Sequence, residues 1–141
     1  ELKLASSICD NIRHESKGVF SLWDFYAIAD FITYPSVLEG FGNQFLEAIF
    51  SKTPILIFEY PVYKKDIAPL GFEIVSLGNK AELKNGLYKV NQDTIIKAKD
   101  QILEILFDTH KALESVQKNF ELGRKYFSYD MLEEKLRYLI E

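Results

Sequence analysis

The chain has 141 residues, 48% of them hydrophobic and 14% aromatic, which is the size of one domain with enough apolar surface for a real core. Seventeen Lys and Arg against 21 Asp and Glu leave a net charge of −4, which argues against nucleic acid as a partner, since a phosphate-backbone binder carries a concentrated basic face. A lone cysteine, Cys9, excludes an internal disulfide and fits a reducing cytoplasm; no secretory signal is visible, and no apolar run reaches the roughly 18 residues of a membrane span.

In chain order, Leu2 to Arg13 reads as an amphipathic helix, with Cys9 packing among Leu4, Ala5, Ile8 and Ile12 rather than acting as a nucleophile. Gly18-Val19-Phe20 reads as a short strand or extended segment. Ser21 can cap a helix with Asp24 three residues on, and that helix runs through Trp23, Tyr26, Ala27 and Ile28. Trp23 is read as a core residue rather than a stacking platform. Phe31 to Tyr34 then forms an apolar run that turns at Pro35-Ser36 and passes through Glu39-Gly40-Phe41-Gly42 into a helix bearing Phe45, Leu46, Ala48, Ile49 and Phe50. After Thr53-Pro54 comes a second apolar run, Ile55 to Phe58. Two such runs joined by a helix predict parallel strands with a crossover, buried on both faces.

Beyond Phe58, the sequence predicts a short helix over Val62 to Ile67, a turn at Pro69-Leu70-Gly71 and a strand over Phe72 to Val75. Residues 79–91 are polar and weakly periodic and read mostly as loop. Three helices follow: from Asp93 or Thr94 to Asp108, from Lys111 to Tyr126 burying Leu113, Val116, Phe120 and Gly123, and a third after Ser128 that carries Leu132, Leu136, Leu139 and Ile140. The fold class is therefore α/β, a Rossmann-like parallel sheet with flanking helices and a helical C-terminal region. His14 and His110 are isolated from other metal-ligand types, so no structural metal is expected.

The Glu39 to Glu47 segment carries the chemistry. Gly40 and Gly42 let the backbone turn sharply and let a ligand approach the main chain, and the amides of a first helical turn favour an anion. Glu39 and Glu47 flank that seat, and carboxylates are strong acceptors for sugar hydroxyls. Together they describe a sugar-phosphate or nucleotide-sugar site at the carboxyl end of a strand, where open α/β sheets bind ligands. The plain alternative is two solvated glutamates beside a turn; Glu133 and Glu141 repeat the spacing, so only the whole arrangement is informative.

That arrangement resembles the family-four retaining glycosyltransferases of the GT-B fold. The matching residues are Leu22-Trp23-Asp24, Ala29 to Ser36, Glu39-Gly40-Phe41-Gly42-Asn43, Glu47-Ala48, Pro54 with its strand, and Tyr126-Phe127-Ser128. The specific part runs from Ser36 to Ala48 and holds the family's two glutamates separated by seven residues. The resemblance implies a single domain over 1–141: the C-terminal, nucleotide-sugar-binding half of such an enzyme, without its first two strands and its N-terminal acceptor domain. It implies transfer of a hexose from a nucleoside diphosphate sugar to a hydroxyl acceptor with retention, in the cytoplasm, with no metal or other cofactor. Glu39 would be catalytic, near the reacting carbon; Gly40, Phe41, Gly42 and Asn43 would face sugar and diphosphate; Glu47 would hold the ribose. The family's usual glycine pair after the second run is replaced by Tyr60-Pro61-Val62-Tyr63, which leaves that loop's contacts open. This chain alone is expected to be inactive and to form a homodimer through its exposed strand edge or terminal helix. A non-catalytic nucleotide-sugar-binding or assembly module is the competing reading.

Overall fold

The computed structural model describes residues 9–10 and 18–140. Its centre is a parallel three-stranded sheet in the order β3 (Ile32–Tyr34), β4 (Ile55–Ile57), β5 (Val75–Ser76), with Ile32 opposite Ile55, Tyr34 opposite Ile57 and Leu56 opposite Val75. All three β4 residues are buried, as a central strand covered on both faces requires. Alternation sends Ile55 and Ile57 into one cluster with Phe45, Ile49, Tyr60, Tyr63, Ile67 and Phe72, and Leu56 into another with Val75 and Ala98. Each such aliphatic side chain stabilises the fold by about 1.5 to 3 kcal/mol relative to exposure.

Helix α2 (Asn43–Phe50) is the crossover between β3 and β4 and buries Phe45, Ala48 and Ile49. It packs on α4 (Thr109–Phe127), while α3 (Gln92–Phe107) covers the Leu56 face through Ala98. Where α2 meets α4, a Cβ on Gly123 would lie 2.7 Å from Ile49 Cγ2, so the absence of a side chain sets how closely the helices approach. Helix α5 (Tyr129–Ile140) follows Ser128 and leaves Leu136, Leu139 and Ile140 exposed. Ser21 caps α1 (Leu22–Ile28) with a full capping box: its side chain accepts from the Asp24 N–H, and the Asp24 carboxylate accepts from the Ser21 N–H at 2.7 Å.

The structure departs from the sequence reading in five places. Cys9–Asp10 is a short strand, β1, parallel to β2 (Phe20–Ser21), rather than part of a helix; the rest of the predicted helix over Leu2 to Arg13 lies outside the described residues. Residues 79–91 hold a hairpin, β6 (Glu82–Lys84) and β7 (Leu87–Lys89), turned by Asn85 and Gly86, both with positive φ. Its strands are wholly exposed and lack an apolar alternation, but Asn-Gly is itself a hairpin signal. The strand predicted over Phe72 to Val75 pairs only at Val75–Ser76. Trp23 is 53% exposed, and Leu113 is exposed beyond the core stripe of α4.

Candidate functional site

The Ser36 to Asn43 loop leaves the carboxyl end of β3 and enters α2. Gly42 sits at φ 87°, ψ 70° as the N-cap, and a Cβ there would fall 2.1 Å from the Tyr60 hydroxyl. Tyr60 is fully buried just beyond β4 and donates to the Phe41 carbonyl at 2.9 Å. One phenol therefore requires glycine at 42 and fixes the backbone before it. Gly40 differs: its φ is not positive and nothing would meet an added Cβ within 4 Å, so the conformational demand expected at both glycines falls on Gly42 alone.

Glu39 is held by its own turn. The Ser36 hydroxyl donates to Glu39 Oε1 at 2.7 Å. The Tyr34 hydroxyl, and after it Ser36, hold the Glu39 carboxyl below the usual carboxylate range. Tyr34 OH is itself buried and has no hydrogen-bond partner of ordinary geometry. Burial, then the Glu39 charge, pushes the Tyr60 hydroxyl up to about 12. Glu39 is thus ionised beside hydroxyls that stay protonated.

Glu47 is held from another element. The Tyr26 hydroxyl, from α1, donates to Glu47 Oε2 at 2.8 Å, and burial with this carboxylate pushes the phenol's pKa upward. Glu47 and Asn43 line a groove of about 650 Å³ with Trp23, Phe50, Tyr129 and Leu132. The Phe41 ring is turned edge-on to Phe127, with centroids 5.4 Å apart.

The structure thus brings Asn43 and Glu47 to one groove and seats Glu39 separately, against Ser36, Tyr34 and Tyr60. Phe41 contributes packing and a carbonyl already engaged by Tyr60. Sequence reasoning missed Tyr26, Tyr34 and Tyr60 as positioning groups; only the tertiary pairing of α1 with α2, and of the β4 exit with the loop, reveals them. Among the described residues, no three His, Cys, Asp or Glu side chains converge as a metal site would need, and no helix is long and apolar enough to cross a membrane.

The chain is 68% identical over 127 residues to a mannosylglucosylglycerate synthase of Petrotoga mobilis, an alignment covering 90% of this chain and 30% of that protein. It is 48% identical over 120 residues to a protein of the same name from Thermotoga maritima, covering 85% of this chain and 28% of the relative. The chain therefore spans less than a third of the length of these curated relatives. No protein-family model and no solved structure matches it.

Proposed function

We propose that this chain is the donor-binding portion of a retaining GT-B glycosyltransferase, which moves a hexose from a nucleoside diphosphate sugar to a hydroxyl acceptor and forms a mannosylglucosylglycerate, the product named for its relatives. The observation that carries this reading is the loop between Glu39 and Glu47, locked at Gly42 by Tyr60 and bracketed by two carboxylates that each have a hydroxyl donor.

In this mechanism the bond between the anomeric carbon and the diphosphate oxygen breaks, and the acceptor oxygen bonds to the same face of that carbon. The acceptor's hydroxyl proton ends on the leaving diphosphate. Glu39, held anionic by Tyr34 and Ser36, lies where positive charge develops on the sugar, and oriented amides near the start of α2 stabilise the departing anion. Glu47 accepts from the ribose hydroxyls while Tyr26 holds its other oxygen. Nucleotide sugar is the partner in this reading, with most of the acceptor contacts supplied by a second domain.

Glu39→Ala and Glu47→Ala in the natural protein carrying this chain test the site. Loss of one charged hydrogen-bond partner costs about 1.5 to 3 kcal/mol, so each variant should lose at least tenfold in transfer, Glu47→Ala mainly through weaker nucleotide binding. Activity within twofold of wild type for both would remove the assignment; donor binding with no transfer by the wild type would mark a binding module instead.

We also propose that the chain self-associates through β3, which has no neighbouring strand on its outer side among the described residues, or through the exposed face of α5. Sedimentation of the chain at micromolar concentration should give a dimer; a monomer would overturn this.

A further inference from the structure

A second cavity at the carboxyl end of the sheet is not used by the mechanism above. It measures about 650 Å³ and is bounded by Val37, Phe58 and Glu59 at the exit of β4, Lys64, Lys65 and Asn79. Beyond β4 the chain winds unusually wide: the Ala68 N–H donates to the Tyr63 carbonyl five residues back, making Tyr63–Ile67 a single π turn. Such turns are rare and recur at functional sites. Tyr63 and Ile67 anchor this one in the core, which leaves Lys64 and Lys65 exposed on its outer side, where they wall the cavity.

Among the described residues neither lysine ammonium pairs with a carboxylate. Glu59, the one acidic wall, already accepts from Ser76 Oγ at 2.5 Å. Two unpaired cations against one engaged carboxylate give the cavity a local positive excess on a chain of net charge −4.

We infer that Lys64 and Lys65 form an anion subsite that takes the carboxylate of the acceptor. The inference rests on the proposed function, whose product contains a glycerate unit and so carries a carboxylate at neutral pH. Ammonium groups on flexible stems suit a mobile carboxylate in an open cavity. Val37, in the cavity wall, lies two residues before Glu39, so the loop that holds this carboxylate also forms one side of the cavity. An acceptor lodged there by its carboxylate presents its hydroxyls toward Glu39.

The test uses the natural protein carrying this chain, with Lys64→Ala and Lys65→Ala combined, and with both lysines changed to Arg. Initial rates are measured with glucosylglycerate and with glucosylglycerol, its uncharged counterpart. The double alanine variant should raise KM for the charged acceptor about tenfold, leave the donor KM and the rates with glucosylglycerol unchanged, and be rescued by arginine. Added salt should bring wild type toward the variant. An unchanged acceptor KM overturns the inference, and a raised donor KM reassigns the lysines to the diphosphate; in both cases the proposed function stands. A wild-type protein that transfers no sugar overturns both.

Discussion

Asn119 and Glu73 exchange two hydrogen bonds: the Glu73 N–H donates to Asn119 Oδ1 at 2.8 Å, and Asn119 Nδ2 donates to the Glu73 carbonyl at 2.7 Å. A buried side chain of α4 thus takes the place a neighbouring strand would have, where the chain approaches β5 before ladder pairing begins. Asn119→Ala should destabilise the fold by about 1 to 3 kcal/mol, because it leaves main-chain groups without their partner. Lys118→Ala, which removes only the exposed ion pair to the Glu73 carboxylate, should cost about 1 kcal/mol or less. Urea midpoints at unchanged slope distinguish the two.

The two loop glycines should respond oppositely to alanine. Gly42→Ala meets both a left-handed backbone and the Tyr60 hydroxyl, so a loss of at least about 1 to 2 kcal/mol is expected. Gly40→Ala meets neither and should be neutral, or stabilising by up to about 1 kcal/mol through the unfolded chain. Thermal unfolding of both variants checks this, and equal losses would contradict the geometry.

Lowering the pH should reveal how Glu39 is held. Its carboxyl titrates below the ordinary range, so its contribution to stability is present above the unfolded pKa, near 4.3, and is lost as pH falls through the lower folded value. Tyr34→Phe removes the larger cause and should move the midpoint back up further than Ser36→Ala. Carbon-detected NMR of the Glu39 carboxyl follows it directly; the reverse ranking would assign the main effect to Ser36.

Tyr26→Phe tests whether a hydroxyl on α1 tunes a carboxylate on α2. With the 2.8 Å bond to Glu47 gone, the carboxylate is free to rotate. In the natural protein, affinity for a nucleoside diphosphate should fall about three- to tenfold, the scale of one ordinary net hydrogen bond, because the carboxylate itself stays in place. Calorimetry gives the value, and an unchanged Kd would show that Glu47 needs no orientation.

Much of this was legible in the sequence because local chemistry and tertiary packing agree there. Ile55 to Phe58 is apolar throughout and is buried throughout; Ser21 is expected to cap a helix and does so, with Asp24 closing a full capping box. The helices over 92–140 begin and end within a few residues of their expected bounds. What escaped lacks an apolar signal or depends on distant partners. The hairpin about Asn85-Gly86 buries neither face, its Leu83, Leu87 and Tyr88 all being exposed, Trp23 has the composition of a core residue but lies over an open groove, and Glu73 satisfies its backbone through a side chain 46 positions away. Of the candidate site, the glutamates and Gly42 are visible as a motif, whereas the three tyrosines that orient them are not.

Asn119, Gly123 and Phe127 follow one another at intervals of four along α4 and so share one stripe of it. The first clamps the main chain ahead of β5, the second admits Ile49 of α2, and the third meets the Phe41 ring beside the glutamate loop. Helix α4 therefore works as a ruler with marks about 6 Å apart, on which the sheet, the crossover helix and the binding loop are each gauged. An inserted residue between Asn119 and Phe127 would change no side chain in the site, yet would swing the upper mark through about 100° and leave the loop measured against a different part of the molecule.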